Sequence, residues 1–558
     1  MCGIFLVKKQ DISEENVYLE FNKSEGRGPD DKKFFEIGEY FMGFHRLSIN
    51  GLNNQSNQPF FKNGIYLICN GEIYNYKKLF DNITYKPTTN SDCEIIIYLY
   101  MLYGIEYTLN LLDGVFAFVL IDYNINKIFV ARDPYGVRPI YYLYNPIGIL
   151  DYEKDKSVYR NLIGFSSEIK QLSGFTEKLN NYELERETKL KVEINNSLII
   201  KPVSSGEYLS LELSDSDKWY LYDKKFYNSF NMCKYIESNE NTYLDLIHET
   251  FCNAIKKRVT TTDRPVACLL SGGLDSSIVT AIVQKYYPHK LETYSIGLAG
   301  SEDLQYAKIV ASYLDTQHTE IIVSEEDFFD FIPDVIKNIE SYDTTTVRAS
   351  VGNYLVCKYI SENSNAKVIF NGDGSDELMG GYLYTQSAPN HFEFDKECKR
   401  LLTDIHYFDV LRSDRSVSTN GLEPRTPFLD RNFVETYLSI PSNIRYNTNK
   451  KQEKYLFRKA FDRNYLPKKI LWRRKEAFSD GVSSLKRSWY QIIEEKVKIQ
   501  TNIEYDLNVQ YNHNQPQTLE QLYYRTIYEN YYPNLGYIIP YFWMPKYCNA
   551  TDASARTL

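Results

Sequence analysis

The hydrophobic pattern of this chain changes its period part-way along. In the first part, short apolar runs recur at 65–71 (IYLICNG), 115–122 (VFAFVLID), 127–133 (KIFVARD) and 139–144 (PIYYLY), separated by Gly, Asn and Pro. Runs of that length between turn formers predict strands. Two helical insertions interrupt them. The clearer covers 91–104 (SDCEIIIYLYMLYG), with Ser and Asp to cap its start and Gly to end it. Strand layers with helices outside predict a layered α+β domain. A polar, poorly periodic stretch follows over about 170–243, within which 180–197 reads as a surface insertion. The expected division is a first domain at 2–215, a linker at 216–240 and a second domain at 241–558.

Beyond the linker, strands and helices alternate. A buried strand at 266–270 (VACLL) leads into the loop SGGLDSS and a helix over 278–287. Then come a strand at 291–298, a helix at 306–314 and a strand at 319–323, and farther on a strand at 367–372 runs into a second glycine-rich loop. This alternation predicts a parallel sheet with crossover helices. Such sheets bind ligands beyond the carboxyl ends of their strands, where both glycine-rich loops fall.

Composition narrows the field. A chain of 558 residues is too long for one hydrophobic core. No apolar run reaches the ~18–20 residues of a membrane span, and MCGIFLVKKQ lacks the features of a signal peptide. A cytoplasmic protein without a membrane partner is expected. A net charge of −9 argues against nucleic acid as partner. Nine scattered cysteines without a CxxC pair indicate neither a disulfide framework nor a zinc site.

Cys2 stands apart. Methionine before a small residue is commonly removed, which would leave Cys2 with a free α-amine. A terminal nucleophile can use that amine as its own general base. A cysteine in second place is by itself unremarkable; the rest of the domain gives it weight. Cys2-Gly3-Ile4, His45-Arg46-Leu47-Ser48-Ile49, Cys69-Asn70-Gly71-Glu72-Ile73-Tyr74-Asn75, Ser91-Asp92-Cys93-Glu94 and 131–139 (ARDPYGVRP) together resemble the class II glutamine amidotransferases. The resemblance implies the αββα N-terminal-nucleophile fold, with Cys2 attacking the glutamine amide and ammonia released. Asn70 and Gly71 would form the oxyanion hole. Arg46 would hold the glutamine α-carboxylate, and Asp92, supported by Glu72, its ammonium. For Asp92 a helix-capping role is the alternative.

Ser271-Gly272-Gly273-Leu274-Asp275-Ser276-Ser277 lies between a strand and a helix, where backbone N–H groups can hold a pyrophosphate. It lacks the Gly-Lys-Ser/Thr ending of a Walker A loop. It resembles the PP-loop of enzymes that split ATP between its α and β phosphates. The second loop, 371–382 (NGDGSDELMGGY), resembles the SGEGSDE…GGY segment of asparagine synthetases. Further blocks at 301–304 (SEDL), 341–350 (SYDTTTVRAS), 421–430 (GLEPRTPFLD) and 472–481 (WRRKEAFSDG) match the same family, the third read as mainly structural.

The resemblance implies a second, α/β PP-loop domain that adenylates aspartate and passes it to ammonia, with glutamine, aspartate and ATP as substrates. It also implies an enclosed ammonia route and a homodimer. Leu270, Ser271, Gly272, Gly273, Asp275, Ser276, Ile296, Gly372, Asp373 and Gly374 would bind ATP. Thr345, Arg348 and Asp376 would serve the aspartate and pyrophosphate region, and Lys475 would face the transferring charge. Asp275 and Asp376 are the carboxylates for Mg²⁺, a hard cation usually held by one or two carboxylates plus substrate phosphates.

One departure touches the chemistry, because the resemblance also makes Asp373 a catalytic residue whose carboxylate would meet the incoming ammonia or the acceptor. Asp373 and Asn371 stand where the family segment has Glu and Ser, so the carboxylate is one methylene shorter. Misplacement by ~1 Å can cost about a hundredfold in rate. Two other readings stay open: the same architecture serving another carboxylate acceptor, and a degenerate regulatory homologue.

Overall fold

The computed structural model describes residues 1–9, 12–145, 162–176, 198–213, 219–230, 235–446, 452–474, 482–483, 487–550 except 501–508, and 552–553. The chain divides into two units, Met1–Ser229 and Phe230–Leu558.

Two six-stranded sheets make up the N-terminal unit. The first runs Ile199–Pro202, Tyr141–Tyr144, Leu162–Ser166, Gly3–Lys8, Tyr40–Arg46, Asp31–Ile37; the second runs Trp219–Phe226, Glu207–Leu213, Lys127–Arg132, Gly114–Asp122, Ile65–Ile73, Phe60–Lys62. All four sequence-predicted runs are strands. Their side chains alternate between two dry faces, which explains why they read as continuous apolar runs. In Gly114–Asp122, Ala117, Val119 and Ile121 join Ile4, Leu6, Met42 and Phe44 of the first sheet in one core. Phe116, Phe118 and Leu120 point the other way, onto Ile95, Ile96 and Leu99 of the helix Ile95–Leu111. On the far side of the first sheet, Phe5 packs 5.8 Å from Phe21 of the helix Glu14–Asn22 and 6.4 Å from Phe175. The order is helix, sheet, sheet, helix.

The details differ from the sequence reading in two places. Gly104 sits at a kink, φ +74°, and helical structure resumes to Leu111, because glycine adopts that conformation without the Cβ penalty that would force a stop. The strand Trp219–Phe226 occupies residues expected to be linker; it pairs with Glu207–Leu213, whose register slips between Ser210 and Leu211. A bulge of this kind breaks strict alternation and hides a strand from a pattern search. The insertion at 180–197 lies outside the described residues.

In the C-terminal unit five parallel strands run in the order Gln317–Val323, Glu292–Leu298, Val266–Leu269, Val368–Phe370, Glu423–Arg425. The three-residue strand Glu423–Arg425 belongs to the segment read as structural. The chain winds outward from Val266–Leu269 in one direction, then returns to start again beside it with Val368–Phe370. That reversal is the topological switch point where open parallel sheets bind ligands.

Candidate functional site

Cys2 and Asn70 meet on neighbouring sheets of the N-terminal unit. The Cys2 backbone N–H donates to Asn70 Oδ1 at 3.1 Å, and Sγ points to the Leu47 carbonyl at 3.8 Å. With Met1 removed, that nitrogen is the α-amine. Asn70 is fully buried, yet its Nδ2 has no partner. An orphaned buried donor costs ~1–3 kcal/mol, and a donor left free beside a nucleophile is the arrangement that an oxyanion hole requires. Gly71 is fixed by packing as well, since a Cβ there would lie 2.6 Å from the Val115 carbonyl of the next strand.

Arg27 was missed by the sequence reading. Its Nε donates to the Cys2 carbonyl at 3.1 Å and its Nη1 pairs with Glu168 at 3.2 Å, both side chains fully buried. It carries no motif, and its two partners lie on separate strand ends. Asn50 was missed too; its Nδ2 donates to Glu72 Oε2 at 2.6 Å and reaches Asp92 Oδ1 at 3.4 Å. Glu72 and Asp92 are thus brought together. Asp92 Oδ2 accepts the Ile73 N–H at 2.6 Å, and Ser91 stands at the N-cap of the turn Asp92–Glu94 without a side-chain capping bond. Arg46 donates to the carbonyls of Gly51 and Asn53 and to Asn57 Oδ1, which ties it to the 51–57 loop. The ARDPYGVRP block closes on itself: buried Asp133 accepts N–H groups from Tyr135, Val137 and Arg138, while Arg132 donates to the carbonyls of Gly136, Arg138 and Val203. These bonds fix the turn that follows the strand Lys127–Arg132.

At the switch point of the C-terminal unit the two glycine loops touch. A Cβ on Gly372 would lie 2.9 Å from the Asp275 Cβ, and Ser375 Oγ donates to Asp275 Oδ1 at 2.7 Å. One cavity is lined by Leu270, Ser271, Gly273, Asp275, Ser276, Ile296, Thr345, Gly372, Asp373, Gly374 and Asp376, all named from sequence. Gly272 is not part of the lining. Its φ is +72°, and a Cβ there would lie 2.4 Å from the Ala307 N, so it seats the loop on the helix Glu302–Leu314.

Sequence reasoning missed the centre of this cavity. The Lys454 ammonium lies 2.7 Å from Asp275 Oδ2 and 2.6 Å from Asp376 Oδ1, and donates to Ser375 Oγ at 2.8 Å; its side chain is 1% exposed. Lys454 has φ +56°, left-handed for a residue with a Cβ, just before the helix Tyr455–Ala460. Such strain persists where surrounding contacts over-determine it, commonly at functional sites. Gly381 makes the room: a Cβ there would sit 2.1 Å from both Lys454 Cε and Asp376 Oδ1.

Two carboxylates that both reach one ammonium at under 3 Å are close enough to share a divalent cation, and their hard oxygen donors suit Mg²⁺. Among the described residues there is no cluster of three or more His, Cys, Asp or Glu that would cage a metal. The donor set fits an ion completed by nucleotide phosphates and water.

Asp409, Arg412, Glu377 and Tyr382 also line the cavity. Arg412 Nη2 donates to Asp373 Oδ1 at 2.8 Å and Asp409 Oδ1 at 2.9 Å, while its buried Nε has no partner. Glu377 Oε2 is likewise buried without a partner. Burial, with the Asp409 carboxylate beside it, pushes Glu377 well above the usual glutamate range. Burial alone would raise Asp409, but the Arg412 guanidinium outweighs it and holds that carboxyl below the usual range.

Arg348, expected at the acceptor end, is not part of the lining. Arg348 follows Thr345 by one helical turn but is 3% exposed and faces away. It is bidentate with Glu520 and with Asp552, both Asp552 contacts at 2.8 Å. Burial disfavours its charge, but the two carboxylates outweigh that and hold the guanidinium well above the usual range. The sequence reading gave it a substrate because its partners lie far along the chain. Lys475 lies outside the described residues.

Comparison with known proteins agrees with this two-part layout. Residues 1–218 match the glutamine amidotransferase domain profile, and 246–396 with 386–533 match that of asparagine synthase. The glutamine-hydrolysing asparagine synthetase of Rattus norvegicus is 40% identical over 583 residues, covering 100% of this chain and 98% of its own. That of Homo sapiens is 39% identical over 596 residues with the same coverage. Among solved structures, the allosteric regulatory enzyme of purine biosynthesis aligns with 57% of this chain and 80% of its own at 14% identity and a TM-score of 0.30, too slight a likeness to carry an argument. Identity of this extent across both units places the chain in the family of glutamine-hydrolysing asparagine synthetases.

Proposed function

We propose that this enzyme converts aspartate to asparagine through β-aspartyl-AMP, with ammonia drawn from glutamine at Cys2. The observation that carries the reading is the convergence of Asp275, Asp376 and Lys454 between two glycine loops at the sheet's switch point.

In the N-terminal unit, Cys2 Sγ attacks the glutamine side-chain carbonyl and its α-amine takes the thiol proton. Asn70 Nδ2 and the Gly71 N–H receive the developing oxyanion. Asp92 and Glu72 pair with the substrate ammonium, and Arg46 with its carboxylate. The adduct collapses to the thioester as its C–N bond breaks and the α-ammonium of Cys2 returns its proton to the departing ammonia; water then hydrolyses the thioester to glutamate and frees the thiol.

In the C-terminal unit, the N–H groups of the loop beginning at Ser271 hold the ATP phosphates at the N-terminus of the helix Leu274–Tyr286. The nucleotide lies along Leu270 and Ile296. Asp275 and Asp376 would hold Mg²⁺, which would supply charge neutralisation for pyrophosphate departure. Lys454 adds positive charge at the same place, and Lys475 is assigned the same task. The acceptor lies toward Thr345, where Arg412 Nε is a free donor for its α-carboxylate and Glu377 with Asp409 faces its ammonium. Oxygen of the aspartate β-carboxylate bonds to the α-phosphorus as pyrophosphate leaves; ammonia then adds at the acyl carbon, loses a proton and expels AMP. No helix among the described residues is long and apolar enough to cross a membrane, and a cytoplasmic setting is part of the proposal.

Product stoichiometry tests it. With MgATP, aspartate and either glutamine or ammonium, asparagine and pyrophosphate should form one for one. Cys2→Ala should lose only the glutamine-driven reaction. Glutamate release without any pyrophosphate would refute aspartate as acceptor.

A further inference from the structure

The carboxylate of Asp373 is held by a different side chain on each oxygen. Oδ1 accepts Arg412 Nη2 at 2.8 Å, and Oδ2 accepts Asn371 Nδ2 at 2.7 Å. Two bonds on two oxygens fix the plane of a carboxylate as well as its position; one bond leaves it free to turn about χ2.

Asn371 is itself anchored. It is 5% exposed, its backbone N–H donates to the Arg425 carbonyl of the adjacent strand at 3.2 Å, and its Nδ2 also donates to Ser413 Oγ at 2.7 Å. Its Oδ1 accepts the Asp373 N–H at 3.4 Å. The amide orientation is thereby settled: a flipped amide would set oxygen against the Asp373 carboxylate and nitrogen against an N–H donor. Arg412 and Ser413 are consecutive residues on the helix Asp409–Ser418. That one helix therefore braces Asp373 twice, directly through the guanidinium and indirectly through the Asn371 amide.

We propose that Asn371 is the positioning residue for Asp373, the two forming a matched pair that presents a short carboxylate to the amide-forming end of the cavity. A serine at 371 has no nitrogen to donate and a shorter reach. It would leave Oδ2 without this bond, and a one-carbon side chain at 373 could then turn toward Arg412 alone. A glutamate at 373 beside Asn371 brings the opposite fault, because the longer chain carries its oxygen past the amide. Serine with glutamate, as in the related sequence segment, and asparagine with aspartate, as here, would then be the two matched pairs, and the mixed combinations mismatched.

The proposal rests on the cavity being the site of amide formation, and the test separates the two. Wild type, Asn371→Ser, Asp373→Glu and the double variant, all full-length, are given MgATP, aspartate and ammonium chloride. Readouts are kcat, KM for ATP, and the ratio of pyrophosphate to asparagine. Failure of the wild type to form asparagine refutes the assignment of the cavity. Given an active wild type, each single variant is expected to lose tenfold or more in the kcat for asparagine. KM for ATP should stay within threefold, and pyrophosphate should form in excess of asparagine. The double variant is expected to return to within threefold of wild type with a ratio near one. Single-variant losses that multiply in the double variant would show independent sites and overturn the pairing; so would an unchanged product ratio in Asn371→Ser. Should the loop variants fail to fold, Ser413→Ala removes only the far anchor of the amide. A raised product ratio there supports the proposal, and an unchanged ratio overturns it.

Discussion

Replacing Gly381 by alanine strikes at the centre of the nucleotide cavity with a single methyl group. The new Cβ would lie 2.1 Å from Lys454 Cε, 2.1 Å from Asp376 Oδ1 and 2.9 Å from Lys454 Nζ. Ordinary van der Waals contact begins near 3.4 Å, so the lysine and the carboxylate must each retreat by about 1.3 Å. Lys454 has little room to do so, because its ammonium is tied to Asp275, Asp376 and Ser375 and its side chain is 1% exposed. Displacement of a charge-stabilising group by ~1 Å costs about a hundredfold in rate, or ~2.7 kcal/mol in transition-state stabilisation. Steady-state pyrophosphate release with saturating aspartate, MgATP and ammonium measures it. Glutamate release from glutamine in the same sample shows whether the N-terminal unit is intact. Gly381→Ala is expected to lose about two orders of magnitude in the first activity and little in the second. Pyrophosphate release within threefold of wild type would refute the claim that Lys454 and Asp376 must stay where they are.

Other expectations concern single side chains. Asn70→Ala should lower glutamine hydrolysis by about 10²–10³-fold in kcat while ammonium-driven synthesis persists, because it removes one oxyanion donor; equal loss of both would contradict that role. His45 is fully buried, stacked 3.8 Å from Phe21, with both ring nitrogens unpartnered, and burial lowers its pKa to about 4. The unfolded histidine takes up its proton near pH 6.5, so the contribution is full above that value and is lost as pH falls toward 4. About 3 kcal/mol of stability should disappear across that window. Denaturant unfolding should show a shallower slope in His45→Phe than in wild type, the remainder coming from half-buried histidines such as His248 and His318, whose burial also holds them low. Arg348→Ala leaves Glu520 buried without its partner and should cost ~3–5 kcal/mol of stability. A fall in kcat with an unchanged Tm would instead restore Arg348 to the substrate.

What the sequence made legible are the features that local chain geometry writes into consecutive residues. The strand Val266–Leu269 and its SGGLDSS loop are readable because a buried strand must be apolar and a phosphate-binding turn must be small. Ser375, Asp376 and Gly381 share one motif for the same reason. Lys454 was not legible. It comes 179 residues after Asp275 in a run of charged residues that resembles any solvated surface, and only the fold brings it to the two carboxylates. Arg412 likewise sits in an ordinary helix, beside Asp373 through tertiary packing alone. Arg348 shows the opposite failure: its motif is sound, but Glu520 and Asp552, 172 and 204 residues away, claim its guanidinium. The strand Trp219–Phe226 was hidden by its own bulge: Ser210 pairs with Asp223 and Leu211 with Leu221, which leaves Tyr222 as the extra residue. Sequence reading thus found the glycine-rich loops that line the cavity and missed the long side chains that arrive from elsewhere.

The central claim is that this cavity joins the acceptor carboxylate to the α-phosphorus of ATP, and an oxygen label tests it most directly. Aspartate carrying ¹⁸O in its β-carboxylate is incubated with the full-length enzyme, MgATP and ammonium, and the nucleotide products are weighed by mass spectrometry. The account predicts AMP bearing one ¹⁸O per asparagine formed, with pyrophosphate unlabelled. Unlabelled AMP would mean that ATP is split by water, and label in inorganic phosphate alongside ADP would mean transfer of the γ-phosphoryl group. Either result would contradict the account.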